Sequence, residues 1–427
     1  MKKIQLSRST LIFIGVIAVL SAFSIGLLIY IRNQVAPIRG VTPITQVAQR
    51  EPDSSKWGVN FPNQYSSLLK TKTNNTRTTF GGSEPVDKLK VDPRLLRLFA
   101  GNAFSLGYSE DRGHMHSLED VRGTPRLNSS TPGTCYSCKS ADNPKLWAEM
   151  GMEKYDKTPF SALGQSITQP IGCANCHEAN TMKLMVTNPA LEEALKAQGK
   201  DWRTFTRQEM RTVVCANCHV EYYFVGESKL LTFPWKNGTK IEEIEKVYQE
   251  NKFVDWTHKD SGTPMIKMQH PDYELFTADS THYKAGVSCA DCHMPYTRDG
   301  AVKYSNHDVK SPLIDNGRAC AACHTNVQYV LERVTNIQKQ VSDTMLATED
   351  ALVDAIDAIK LAGENPNVDK AKLDTARDLH RRAQLRWDFI AAENSMGFHN
   401  PEEALRILAS STDLARQAQI IALSANK

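Results

Sequence analysis

The ten cysteines of the chain all fall in pairs of C-x-x-C spacing: Cys135 with Cys138, Cys173 with Cys176, Cys215 with Cys218, Cys289 with Cys292, and Cys320 with Cys323. In four pairs the next residue is histidine, at His177, His219, His293 and His324, whereas the first pair is followed by Lys139. Three chemistries use closely spaced cysteines. Disulfides suit an exported protein, but a bridge inside C-x-x-C is usually redox-active, and five of them beside histidines would be odd. Zinc needs paired C-x-x-C units or two histidines at finger spacing, and gives no reason for histidine to follow the second cysteine. Covalent haem accounts for every feature, with thioethers to two vinyl groups and the following residue held beneath the iron as axial ligand.

Lys139 is then the proximal ligand of the odd haem, as a neutral amine, because an ammonium has no lone pair to give. Proximity to a metal cation lowers an amine pKa enough for this. The competing reading is a motif that has lost both ligand and haem. Eight histidines remain after the four proximal ones: His114, His116, His258, His270, His282, His307, His380 and His399. Four low-spin electron-transfer haems would need four of them as second axial ligands.

The order C-x-x-C-K followed by four C-x-x-C-H resembles the pentahaem cytochrome c nitrite reductases, the ammonia-forming enzymes, over roughly residues 60–405. The resemblance implies five covalently bound haem c groups, with the lysine-ligated one open to substrate and the others acting as wires. It implies distal ligands from "RGH", "THYK", "NHDVKSP" and "FHNPEE". These give His114 to the third haem in chain order, His282 to the fifth, His307 to the second and His399 to the fourth. His116, His258 and His380 are left over and read as solvated or locally hydrogen-bonded side chains.

The same resemblance extends to "CHVEYYF" at 218–224 and "KMQHP" at 267–271. It implies that Tyr222 and His270 flank the open face of the catalytic haem, with an arginine from "DVRGTPR" beside them: Arg126 by spacing, Arg122 as the alternative. A guanidinium suits a small anion, histidine exchanges protons near neutral pH, and a tyrosine hydroxyl can orient or relay them. It also implies one calcium ion, held by the side chains of Glu221 and Gln269 and the backbone carbonyls of Tyr222 and Lys267, all hard oxygen donors.

These residues need a scaffold. After Lys2, Lys3 and Arg8 comes "LIFIGVIAVLSAFSIGLLIYI", residues 11–31, an uncharged run long enough to span a bilayer. The preceding positive charges put the N-terminus in the cytoplasm and the rest on the periplasmic side of a bacterial cytoplasmic membrane. An uncleaved anchor over 1–32 is expected, against a cleaved signal peptide with a faint site at Ala22–Ser24. Residues 33–60, with Pro37, Pro43 and Pro52, read as a linker. Residues 61–325 read as an irregular haem-packed region. Its motif intervals of 38, 42, 74 and 31 residues exclude a repeat array.

Residues 326–427 read as long helices. Val330, Val334, Ile337, Val341, Met345, Thr348, Leu352, Ala355 and Ile359 form one stripe ended by Gly363 and Pro366, and a second helix follows over 369–394. A third begins at "NPEEA", with Asn400 as cap, Pro401 in the first turn and Glu403 closing a capping box. The stripe serves core packing or a homodimer interface.

The expected fold class is mainly α: a multihaem cytochrome c with one N-terminal transmembrane helix. The formal charge of +3 does not argue for nucleic acid, because propionates on five haems would add about −10. The expected function is six-electron reduction of nitrite to ammonium, fed by a quinol-linked multihaem cytochrome. The alternatives are a non-catalytic electron carrier, or a reductase acting mainly on hydroxylamine or sulfite.

Overall fold

The computed structural model describes residues 7–34, 43–110 and 112–425. Two compact units are present, Met1–Gln46 and Val47–Lys427. In the first, the apolar run forms one helix, Arg8–Gln34. Its Arg8–Leu27 stretch has a mean hydropathy of 2.4 and is, among the described residues, the one helix long and apolar enough to cross a membrane by length and composition. Ala22–Ser24 lies inside this unbroken helix, whereas Lys2 and Lys3 lie outside the described residues.

The second unit starts earlier than the proline content suggested. Val47 and Trp57 are buried with Ala174 and Ala179, and Asp53 caps the helix Ser54–Gly58. The linker expected over 33–60 therefore ends before Val47, because an indole and a branched side chain in that stretch find apolar cover. Residues 35–42 of it lie outside the described residues.

From there to about residue 325, short helices alternate, among the described residues, with four two-stranded antiparallel hairpins. Two hairpins bear on the site. Tyr223–Val225 pairs with Leu230–Thr232 directly after the third cysteine motif, and Tyr296–Asp299 pairs with Val302–Ser305 just before His307. The predominance of helix matches the mainly α expectation.

The C-terminal residues form three long helices, Val327–Gly363, Lys370–Ala391 and Pro401–Ser424. Leu352, Ile356, Ile407 and Leu408 are fully or almost fully buried between them. This core runs on without a break into Leu98, Phe99, Trp256, Met265 and Met268 of the preceding region. The bundle is thus the packed floor for the segment that carries "KMQHP".

Two details differ from the sequence pattern. Val330 and Ile337 are only half-buried, since the first helix extends past the other two at its start. Asn400 accepts from Glu403 N as expected, but Glu403 turns away to pair with Arg406, an ion pair that competes with closing the capping box.

Candidate haem and substrate site

Each C-x-x-C-H segment is a single tight turn. His177 N donates to Cys173 O at 3.0 Å, His219 N to Cys215 O at 2.9 Å and His324 N to Cys320 O at 2.8 Å. The fourth motif is itself a helical turn, Cys289–His293. This wrap brings both cysteines and the histidine of each motif into one turn, as thioether attachment with axial ligation requires. No disulfide joins any of the ten cysteines. The thiols also link the motifs: Cys138 contacts Cys218, Cys215 contacts Cys289, and Cys292 stands beside Cys320.

Second imidazoles face three of the four proximal ones at a telling distance. Ring centroids are 6.2 Å apart for His177 and His307, 6.3 Å for His293 and His399, and 6.4 Å for His282 and His324. Two imidazoles bound on opposite faces of one metal, each at about 2.0–2.1 Å through nitrogen, have centroids about 6.4 Å apart. The pairings match those expected for the second, fourth and fifth motifs.

His219 has two histidine neighbours. His114 lies close enough to feel its charge, and His270 stands at a centroid distance of 6.4 Å. Gly113 seats His114, since a Cβ there would meet Thr71 O at 2.4 Å.

Hydrogen bonds divide the histidines into two groups. Nδ1 of His177 engages Met182 O at 2.9 Å, Nδ1 of His293 engages Lys310 O at 2.9 Å, and Nδ1 of His307 engages Ser305 O at 2.8 Å. Nε2 is thereby left pointing at the metal position, the usual arrangement of a metal-bound histidine. Burial pushes His114, His293 and His307 each down to about 4, which keeps the imidazole neutral and able to ligate.

The three spare histidines use both nitrogens. His258 Nε2 meets Arg97 O while its Nδ1 accepts from Ser261 N, and His380 is held by Thr263 and Gln384. His116 is held by Glu119 and Lys72 O. His258 and His380 are fully buried, so the solvated option does not apply to them.

The lysine turn is built differently. Lys139 N donates to Tyr136 O, one residue nearer than in the histidine turns, and Asn143 Nδ2 clamps the carbonyls of Tyr136 and Ser137 at 2.7 and 2.9 Å. Tyr136 stacks on Phe160 at 4.0 Å over a core of Leu118, Trp147, Tyr155 and Leu163. Gly133 is required there, because a Cβ would meet Thr158 O at 2.6 Å and Tyr155 O at 2.7 Å.

Around this turn, Arg126 and Tyr222 gather near Cys135. The Arg126 guanidinium lies 4.1 Å over the Phe104 ring, with Nε bonded to Thr124 Oγ1 at 3.0 Å. Arg122 is committed elsewhere, bonding to Tyr136 Oη, Gly164 O and Ile167 O. Burial holds the Tyr222 hydroxyl protonated far above its ordinary range.

The Glu221 carboxylate is fully buried, accepting from Tyr248 Oη at 2.6 Å and Gln269 N at 2.6 Å. Gln269 Nε2 reaches Lys267 O at 3.1 Å, so Glu221, Lys267 O and Gln269 converge. The Lys267 ammonium points away, to Asp388 Oδ1 at 2.7 Å. The Lys267 carbonyl, not its ammonium, is the group oriented toward Glu221 and Gln269. Burial raises Glu221 well above the ordinary carboxylate range, and the nearby Glu274 adds to this. A hard divalent cation would relieve both, so the donor set fits calcium.

Sequence reasoning missed Asp272, Glu274 and Glu393. Glu274 accepts from Glu221 N and Trp235 Nε1, both at 2.8 Å, and Asp272 accepts from His219 Nδ1 at 3.1 Å. Glu393 Oε2 stands 3.2 Å from His399 Nδ1. Only the position of Asp272, two residues after His270 in "QHPD", hinted at a role.

The chain is similar to known proteins over most of its length. Residues 53–426 match the family model described as cytochrome c552. Cytochrome c-552 of Parabacteroides distasonis is 41% identical over 384 residues, covering 88% of this chain and 77% of that protein. Cytochrome c-552 of Bacteroides fragilis is 38% identical over 439 residues, covering 98% and 86%. Among solved structures, cytochrome c nitrite reductase from Desulfovibrio desulfuricans, a catalytic subunit with two calcium sites, superposes with a TM-score of 0.86. It is 36% identical and covers 90% of this chain and 88% of its own. The resemblance drawn from C-x-x-C-K and its four companions is borne out, and the chain belongs to the cytochrome c552 family.

Proposed function

We propose that this chain is an exported nitrite reductase that carries nitrite to ammonium at a lysine-ligated haem c, with four bis-histidine haems relaying the electrons. The observation that carries this reading is the contrast at the first motif. Three histidine motifs have a second imidazole across the metal position, whereas Arg126 and Tyr222 stand beside the lysine motif. A carrier needs every iron closed by two strong ligands; a reductase needs one left open. The named activity of the Desulfovibrio relative adds to this.

Five haem c groups on the five cysteine pairs would supply electrons and one open coordination position. The chain supplies the rest. Arg126, steadied on Phe104, presents guanidinium donors to a nitrite oxygen and offsets its charge. Complete reduction takes six electrons and eight protons and releases two waters. Tyr222 keeps its proton and can donate a hydrogen bond to substrate oxygen, while His270 can take and give protons near neutral pH. Calcium held by Glu221, Tyr222 O, Lys267 O and Gln269 would tie the loop of Tyr222 to the loop of His270 and fix their spacing.

The helix Arg8–Gln34 supports an uncleaved membrane anchor on the periplasmic side, with a quinol-linked multihaem cytochrome as donor. Tyr329, Leu361 and Ile420, exposed on the C-terminal helices, support a homodimer. Turnover with reduced viologen and nitrite, with ammonium quantified in wild type and Lys139→His, tests the central claim. Stoichiometric ammonium is expected from the wild type. Fully loaded protein that makes none would leave an electron carrier.

A further inference from the structure

Asp272 sits between two imidazoles that belong to different haems. Its Oδ2 accepts from Nδ1 of His219, in the third motif, at 3.1 Å. Its Oδ1 lies 3.6 Å from Nδ1 of His399, which faces His293 of the fourth motif; this is a charge contact, too long for a hydrogen bond. The side chain is almost fully buried. Asn394 fixes its orientation, donating from the backbone N–H to Oδ1 at 2.7 Å and from Nδ2 to Oδ2 at 2.9 Å. Three donors, His219 Nδ1 and the two Asn394 nitrogens, converging on one carboxyl group are the environment of a carboxylate rather than a carboxylic acid.

Two other proximal imidazoles, His177 and His293, meet neutral carbonyls through Nδ1 instead. A carboxylate on Nδ1 makes the ring a stronger donor through Nε2 and favours the more positive, oxidised iron. A neutral carbonyl does this far less. Cys215 and Cys289 are in contact, so the third and fourth motifs adjoin one another in the relay.

We propose that Asp272 is a shared tuning residue, one carboxylate that lowers the reduction potentials of the third and fourth haems together. This rests on the haem ligation proposed above. Glu393 Oε2, 3.2 Å from His399 Nδ1, acts on the fourth haem alone. The consequence is a pair of adjacent low-potential centres.

The test is a spectroelectrochemical titration of the five-haem holoprotein, resolved by electron paramagnetic resonance, on wild type, Asp272→Asn, Glu393→Gln and His399→Met. Asp272→Asn, nearly isosteric, should raise two midpoint potentials and leave three in place. Glu393→Gln should raise one of the same two. A potential change confined to one haem in Asp272→Asn, or no change in either carboxylate variant, overturns the proposal. Should Asp272→Asn fail to assemble, Glu393→Gln still decides, since an unmoved fourth haem removes the premise. His399→Met separates the two layers of argument. Retention of every bis-histidine signal in it would reject the ligand assignment itself, whereas loss of one signal with unmoved potentials in Asp272→Asn rejects only the tuning role.

Discussion

Three of the four histidine turns close with a hydrogen bond from the ligand residue back to the first cysteine, and the fourth is helical, while the lysine turn closes one residue shorter, on Tyr136. The surroundings differ as much. The lysine turn is clamped by Asn143 and sits on an aromatic core, with Gly133, Thr134 and Tyr136 buried. The fifth turn, Cys320–Ala322, buries none of its residues, and His324 is exposed. A relay centre needs only two axial ligands and proximity to its neighbours. A centre that holds substrate also needs fixed side chains on its open face, and those require packing behind them.

The comparison breaks most severely at Lys139. Lys139→His is expected to lower ammonium formation on the order of a thousandfold, about 4 kcal/mol of transition-state stabilisation, with five haems still attached. Near-normal turnover would show that the lysine is not what distinguishes the first centre.

His270 and His114 sharpen it next, because both neighbour His219. His270→Asn should cost about a hundredfold in turnover, as for loss of a general acid, with all low-spin signals intact. His114→Ala should convert one low-spin haem to high spin. If the two spectra are exchanged, the roles are exchanged.

Removal of calcium by chelation, or Glu221→Gln, is expected to cost roughly tenfold in turnover without loss of haem, since it loosens two loops rather than removing a group. Unchanged kinetics in metal-free protein, verified by elemental analysis, would end the calcium proposal.

The two arginines give a smaller effect. Arg126→Ala should raise KM for nitrite by about tenfold, the worth of one charge-assisted hydrogen bond. Arg122→Ala should leave KM alone and destabilise the lysine turn by about 1–2 kcal/mol, because its bonds go to Tyr136 Oη and two carbonyls.

Far from either kind of turn, Leu352→Ala, at a fully buried position in the C-terminal helices, should cost about 2–5 kcal/mol in unfolding free energy with turnover per haem unchanged.

Covalent attachment and axial ligation act over four or five consecutive residues, so cysteine spacing and the residue that follows made five candidate haem motifs, one ending in lysine, legible from sequence. The long C-terminal helices were legible for a similar reason: an apolar stripe at helical period repeats over many turns. Their fine detail was less so, since the pairing of Glu403 with Arg406 instead of a cap is a choice between near-equal local bonds.

The facing of His307, His399 and His282 toward particular partners spans from 42 to 130 residues of chain, between His282 and His324 and between His177 and His307. No local rule sets such distances, and family resemblance alone supplied them. The convergence of Glu221 with Lys267 and Gln269, and the placing of Asp272 between His219 and His399, were decided by tertiary packing. A buried carboxylate is recognisable only by what surrounds it, and its neighbours here come from separate loops brought together over the C-terminal helices.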